Sequence, residues 1–147
     1  KRIFQIGNKI LLTWKSKNEN RTGYFNVELI EAISPFFFHD KKKSVCILSA
    51  TSLLKILLPE RQINKKIYNS LEKLLNKIKS DNWINSYISW ELELIKELGF
   101  EENFRKDHNN NIKSALSFNR NLIIENFIIP NGLKFPLFRN ILENYFK

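Results

Sequence analysis

The feature that most constrains the fold is a change of hydrophobic period at Ser34-Pro35. Before it, residues 9–14 and 23–30 are short apolar-rich runs, and the second alternates strictly between polar and apolar side chains. A polar, turn-forming stretch at residues 15–22 separates the two runs. After Pro35, apolar residues recur at the three- and four-residue spacing of helices that bury one face. The pattern therefore predicts a mainly α chain in which a β-hairpin precedes a helical bundle.

The helical part divides into about five segments joined by short connections. Pro59 ends the first segment because it cannot donate the next backbone hydrogen bond. Gly99 supplies the left-handed residue that commonly follows a helix, here the third. The predicted helices span residues 44–58, 64–79, 83–98, 113–129 and 136–145.

The distribution of charge points to a polyanionic partner. Residues 1–66 contain 13 Lys and Arg against 5 Asp and Glu, whereas residues 67–147 contain 11 against 10. A general enrichment in lysine would affect both halves equally, so it does not explain this asymmetry. A basic region in a globular domain is typical of contact with a nucleic-acid backbone.

Several other classes of protein are disfavoured. No uninterrupted apolar run reaches about 18 residues, which predicts no membrane span. The N-terminus has no apolar signal-peptide segment, and Cys46 is the only cysteine, so we expect a cytoplasmic protein without disulfides. The sequence contains no Met, and we expect it to begin inside a longer protein.

An enzymatic role is also not predicted. His39 and His108 are the only histidines, and one cysteine with two distant histidines cannot provide a zinc site. The four glycines are not clustered into a phosphate-binding loop. Glu91 and Glu93 cannot share one face of a helix, which makes them a poor acid–base pair. We therefore expect no catalytic residue, no metal and no cofactor, and a nuclease fragment is disfavoured because no carboxylate cluster is present.

The first half does carry binding chemistry, since mobile cations suit phosphates and flat aromatic rings suit unpaired bases. Trp14 is interpreted as a core residue of a strand in preference to a base-stacking residue. Core packing and base stacking both stay open for residues 36–38, which are three phenylalanines. The candidate DNA-binding residues are Lys9, Lys15, Lys17, Arg21, Lys41, Lys42, Lys43, Lys65 and Lys66.

Motifs along nearly the whole chain resemble the RecO family of bacterial recombination mediators, especially alphaproteobacterial members. Residues 4–8 (Phe-Gln-Ile-Gly-Asn), 13–15 (Thr-Trp-Lys) and 23–29 (Gly-Tyr-Phe-Asn-Val-Glu-Leu) are similar to that family's last OB-fold strands. Residues 87–100, Tyr-Ile-Ser-Trp-Glu-Leu-Glu-Leu-Ile-Lys-Glu-Leu-Gly-Phe, resemble its Tyr-x-Arg-x-Glu-Leu signature and the Leu-Gly-Phe that follows. Ser89 stands where an arginine is common in the family, and no cysteines follow Phe100.

The resemblance implies a division into residues 1–33, the truncated C-terminal part of an OB-fold, and residues 34–147, the helical domain. It implies a non-enzymatic mediator of DNA repair and recombination that binds single- and double-stranded DNA at the nucleoid. It also implies that the helical domain binds the C-terminal tail of single-strand-binding protein, and that the protein assists strand annealing and, with RecR, the loading of RecA. The candidate partner-binding residues are Tyr87, Trp90, Lys96 and Arg120. The alternative is a helical adaptor that binds only proteins through its basic face.

The predicted hairpin tip gives a first test. Replacing Lys15, Lys17 and Arg21 together with Ala should weaken binding of a single-stranded oligonucleotide. If all three contact phosphates, the slope of log K against log salt should fall in magnitude by about 2, because each lost contact to a single strand removes about 0.7. Equal affinity of the variant across a salt titration would refute the assignment.

Overall fold

The computed structural model describes residues 3–17, 22–100 and 111–147. Strands β1 (Lys9–Lys15) and β2 (Tyr24–Glu31) pair antiparallel, from Lys15 opposite Tyr24 to Lys9 opposite Glu31. A short 3₁₀ turn, Ser34–Phe37, leads into the helices. These are α1 (Lys41–Leu57), α2 (Lys65–Lys77), α3 (Trp83–Glu97), α4 (Ile112–Ile123) and α5 (Leu137–Asn144). The predicted hairpin and five-helix bundle are confirmed.

Local signals in the sequence account for most helix ends. Asp40 precedes α1 and its carboxylate accepts the Lys43 backbone N–H at 3.1 Å. Gly99 has φ +94°, and the Phe100 N–H reaches back to the Ile95 carbonyl, as in a glycine-terminated helix. The segment predicted as one helix from residue 113 to 129 instead has two parts. Helix α4 ends at Ile123, and one wider π turn, Ile124–Ile128, continues it.

The core is centred on α3, which packs against α2 on one side and α4 on the other, while α1 packs against α5. Helix α3 buries residues on most of its circumference: Trp83, Ile84, Tyr87, Ile88, Trp90, Glu91, Leu94 and Ile95. A helix with so little exposed surface is expected at the centre of a bundle rather than at its edge. One member of this buried set is a carboxylate, which requires a partner.

That partner is Arg139 of α5, whose side chain is completely buried. Its guanidinium donates to both carboxylate oxygens of Glu91, at 2.5 and 3.1 Å, and to Glu143 at 3.3 Å. It also donates to the Leu116 carbonyl of α4 at 2.8 Å. Burial opposes the charge of Arg139, but Glu91 outweighs it, so the pKa of Arg139 is raised. One side chain thus ties α5 to α3 and α4.

Neutral groups complete the hydrogen bonding of Glu91. The Tyr87 hydroxyl donates to it at 2.7 Å, and Ser49 of α1 contacts that hydroxyl at 2.6 Å. The Asn119 amide of α4 donates to the second oxygen at 3.1 Å. We call Glu91, Arg139, Glu143, Tyr87, Ser49 and Asn119 the buried polar network. It includes residues from α1, α3, α4 and α5, so it fixes four helices relative to one another.

The hairpin lies outside this core. Trp14 is 52% exposed and packs against Phe25, with ring centroids 5.0 Å apart, so its interpretation as a core residue is wrong. The alternation in β2 separates two faces correctly, but neither face of the hairpin is buried. The base of the hairpin is attached by Asn8, whose side-chain oxygen accepts the N–H groups of Ile33 and Ser34 at 2.9 and 3.1 Å. The assignment of residues 1–33 to an OB-fold and 34–147 to a separate domain stays a prediction.

The buried polar network predicts a large effect of removing one charge. Arg139→Met should lower the free energy of unfolding by about 3–5 kcal/mol, because Glu91 stays buried without its cation and Glu143 keeps only its pair with Arg120. Urea unfolding measures this, with Lys66→Met as the control, since the exposed Lys66–Glu97 pair should be worth under about 1 kcal/mol. Equal losses in the two variants would contradict the account.

Stability should also fall in alkali. Burial, followed by the charge of Glu91, raises the pKa of the Cys46 thiol and of the Tyr87 hydroxyl well above their ordinary values. The folded chain therefore keeps protons that the unfolded chain loses above about pH 8.5 for Cys and pH 10 for Tyr. Below these pH values the two groups leave the free energy of unfolding unchanged. Above them, each group lowers it by up to about 1.4 kcal/mol per pH unit. In urea unfolding from pH 7 to 10, Cys46→Ala should show a smaller loss than the parent chain, and an identical loss would refute this cause.

Candidate nucleic-acid interface

Helix α1 begins with three consecutive lysines at the end where cations are least favourable. Lys41, Lys42 and Lys43 occupy its first turn, which contains no acidic residue. The aligned peptide dipoles make a helix N-terminus positive, so each lysine there is unfavourable by a few tenths of a kcal/mol. Helix stability therefore does not account for these residues, whereas binding to an anion does.

The end of α2 lies beside the start of α1 and adds positive charge there. The Lys43 ammonium is 3.5 Å from the carbonyl oxygen of Lys79, just after α2. The Lys79 ammonium in turn lies 5.0 Å from the ring centroid of Phe36. Lys77, the last residue of α2, is exposed. Lysines far apart in the sequence thus meet at one end of the bundle.

Aromatic rings surround these lysines. Phe36 and Phe38 are 67% and 58% exposed, whereas Phe37 between them is buried, so core packing accounts for only one of the three. Lys42 lies 5.6 Å from the ring centroid of Phe146 and 5.9 Å from that of Tyr145, near the end of the chain. We define the basic–aromatic end as Phe36, Phe38, Lys41, Lys42, Lys43, Lys77, Lys79, Tyr145 and Phe146.

The basic–aromatic end keeps its charge free for a ligand. Across the described residues, no carboxylate forms an ion pair with any of its five lysines. Unpaired cations next to exposed rings can hold phosphates and stack unpaired bases at the same time. This combination is the chemistry expected of a surface that binds a nucleic-acid strand.

The other predicted DNA-binding lysines lie elsewhere. Lys9 forms an ion pair with Glu72 of α2, whose hydrogen bond raises the pKa of Lys9, and this pair attaches the hairpin to the helices. Lys66 pairs with Glu97 at 3.5 Å. Lys65 begins α2, about 18 Å along the helix from Lys77 at 1.5 Å per residue.

The hairpin holds the remaining lysines of the set. Lys15 and Lys17 are exposed there, whereas Arg21 lies outside the described residues. The described residues of the predicted set therefore lie at several places on the fold, and the contacts of the whole set with DNA stay a prediction. Lys77 and Lys79 were absent from the predicted set because only the fold brings them to Lys41–Lys43.

The predicted partner-binding residues are also separated by the fold. Tyr87 and Trp90 are 0% and 3% exposed, so in this conformation they present almost no surface to a docked partner. Lys96 is exposed on the last turn of α3. Arg120 is partly exposed, pairs with Glu143 at 3.4 Å and lies 5.1 Å from the Phe135 ring centroid. Burial of the two aromatic residues leaves Lys96 and Arg120 as the candidates for contact with a partner.

The described residues lack the features of two other protein classes. The described part of the chain contains no group of three or more His, Cys, Asp or Glu arranged to hold a metal ion. Nor does any described helix combine the length and apolar character needed to cross a membrane. His39 is exposed, and His108 lies outside the described residues.

Comparison with known proteins places this chain in a family. The model of the family "Recombination protein O C terminal" matches residues 39–119, more than half of the chain. This chain belongs to the recombination protein O family. The matched residues include α1 to α3, and therefore all five lysines of the basic–aromatic end.

Curated relatives agree with the family match. A protein named DNA repair protein RecO from Wolbachia sp. subsp. Drosophila simulans is 34% identical over 117 residues, which is 78% of this chain and 49% of the relative. The protein of that name from Ehrlichia chaffeensis is 35% identical over 116 residues, 78% of this chain and 48% of the relative. The one from Roseobacter denitrificans is 29% identical over 99 residues, 67% and 41%. The chain thus spans about half the length of the curated relatives that it matches, and no solved structure matches it.

Proposed function

We propose that this chain acts in DNA repair by recombination as a non-catalytic protein that binds DNA through the basic–aromatic end. The observation that carries the proposal is the convergence of five unpaired lysines and exposed aromatic rings from separate parts of the sequence. Membership of the recombination protein O family and the name DNA repair protein of its relatives support the same role.

The preference for binding over catalysis follows from the chemistry of the surface. Lysine ammonium groups attract phosphates but do not by themselves provide a nucleophile or a metal site. The exposed rings of Phe36 and Phe38 add flat apolar faces, which favours a strand with unpaired bases over a closed duplex. DNA in both forms is within the proposed range of ligands, with single strands held more tightly at the same ionic strength.

The finer parts of the proposal come from the family resemblance. The helical bundle docks the tail of single-strand-binding protein, with Lys96 and Arg120 as candidate contacts to its carboxylates. With RecR, the protein assists strand annealing and the loading of RecA. The hairpin is the last part of an OB-fold that carries further DNA contacts through Lys15 and Lys17. Location in the cytoplasm, at the nucleoid, belongs to the same proposal.

The start of α1 provides the sharpest test. Replacing Lys41, Lys42 and Lys43 together with Gln should weaken binding of a single-stranded oligonucleotide and lower the salt slope by about 2 in magnitude. The variant should stay within about 1 kcal/mol of the parent chain, because relief at the helix dipole offsets the lost contacts of Lys42 with the rings of Tyr145 and Phe146. Loss of binding can therefore be separated from loss of folding by measuring urea unfolding alongside oligonucleotide anisotropy.

In the matched control, three other exposed lysines, Lys55, Lys113 and Lys134, are replaced with Gln. None of them forms an ion pair with a described residue. The control has the same net charge as the test variant, so a general electrostatic effect would weaken both equally. Equal weakening would contradict a localised interface. If the parent chain binds no oligonucleotide but does bind an acidic protein, the adaptor alternative replaces this proposal.

A further inference from the structure

A polar groove runs between α2 and α3, the two helices that the Lys66–Glu97 ion pair also joins. It encloses about 270 Å³. Most of its residues have hydrogen-bonding or charged side chains. The two exceptions, Leu74 and Trp90, are buried and largely apolar. The full lining is Ser70, Lys73, Leu74, Lys77, Asn82, Asn85, Ser86, Ser89, Trp90 and Glu93.

One residue that lines the groove has a buried donor without an acceptor. Trp90 is 3% exposed, and its indole N–H has no hydrogen-bond partner among the described residues. A buried donor left unpaired is unfavourable by about 1–3 kcal/mol, so buried indole N–H groups normally have a partner. A ligand that carries an acceptor oxygen would supply what the folded chain lacks.

The walls favour an anionic ligand. Lys73 and Lys77 stand on the α2 side, are exposed, and form no ion pair with a described residue. Asn82, at the opposite wall, directly precedes α3, and the first turn of that helix contains no acidic residue. Glu93 is the one carboxylate among the lining residues, so cations outnumber anions around the groove.

The groove is continuous with the basic–aromatic end. Lys77 belongs to both, and Lys79 follows it by two residues towards Lys43 and Phe36. A flexible strand held on Phe36 and Lys41–Lys43 would therefore meet Lys79 and Lys77 next, and then the mouth of the groove.

We propose that the groove between α2 and α3 seats one backbone phosphate of the strand that is bound at the basic–aromatic end. This inference rests on the proposed function, because the strand reaches the groove from that end. The phosphate lies between Lys73 and Lys77 and provides an acceptor for the Trp90 indole N–H. That N–H is covered in the free chain, so it becomes accessible when the ligand displaces a lining side chain.

The lining favours a phosphate over the carboxylate end of an apolar peptide. Such a peptide end needs an apolar pocket beside its cation, as in grooves that bind hydrophobic anchors. Here serine and asparagine side chains occupy most of the walls, and they match the several acceptor oxygens of a phosphodiester. The peptide is therefore the competing occupant that the experiment must separate.

The indole N–H signals of ¹⁵N-labelled protein test the proposal directly. Trp90→Phe identifies the Trp90 signal among those of the three tryptophans, Trp14, Trp83 and Trp90. Adding a single-stranded oligothymidine should move the Trp90 signal, since a new hydrogen bond changes the chemical shift of the proton. Inorganic phosphate at higher concentration should move the same signal in the same direction.

The lysines are tested by a pair of double variants. Lys73→Gln with Lys77→Gln should abolish most of the Trp90 shift and lower the salt slope of oligothymidine binding by about 0.7 in magnitude, the loss of one phosphate contact. Lys55→Gln with Lys113→Gln has the same net charge and should change neither. These substitutions are on the surface, so the remaining indole signals report whether each variant is folded.

Two results would overturn the inference while the proposed function stands. In one, oligothymidine binding depends on Lys41–Lys43 but the Trp90 signal does not move. In the other, an acidic peptide with a free C-terminal carboxylate moves the Trp90 signal and oligothymidine does not, which would make the groove a peptide site. Absence of any oligothymidine binding would overturn both proposals together.

Discussion

The fold depends on the buried charge of the Arg139 guanidinium. The buried Arg139 requires the carboxylates of Glu91 and Glu143, and Glu91 has no other cation partner among the described residues. Satisfying them fixes α5 against α3 and α4, and α5 also packs on α1. The C-terminal Tyr145 and Phe146 follow α5, which is why they lie next to Lys42. The buried polar network thus sets one side of the candidate interface.

The lysines at the start of α1 do not stabilise the fold, in contrast to the buried charges. Lys41–Lys43 are placed at the positive end of a helix dipole, near Lys77 and Lys79, and no described carboxylate forms an ion pair with them, although Asp40 caps the helix. A chain selected only for stability would place acidic residues in that turn. The buried charges are paired and hold the fold together, whereas the lysines of the basic–aromatic end form no ion pair with a described residue and can bind a partner. Charges of the two kinds therefore serve different purposes within one small bundle.

Sequence reasoning found the elements because their signals are local. The 3.6-residue period, Pro59 and Gly99 each act within a few residues, so helix ends were predicted to within three residues except in α4. Trp14 was misplaced because alternation separates two faces of a strand without showing whether anything covers them. The structural role of Glu91 does not follow from the sequence, because its partner Arg139 is 48 residues away on another helix. Lys77 and Lys79 were missed for the same reason, because their proximity to Lys43 depends on how α2 returns to the start of α1.

The central claim is that the lysines of the basic–aromatic end, rather than lysines in general, meet the nucleic-acid backbone. Lysine footprinting tests this claim most directly. The chain is modified with an amine-reactive reagent with and without a saturating single-stranded oligonucleotide. Mass spectrometry then measures the extent of modification of each lysine. The account predicts strong protection of Lys41, Lys42, Lys43 and Lys79, with Lys55 and Lys134 unchanged. Protection spread evenly over all exposed lysines, or absent from the start of α1, would contradict it.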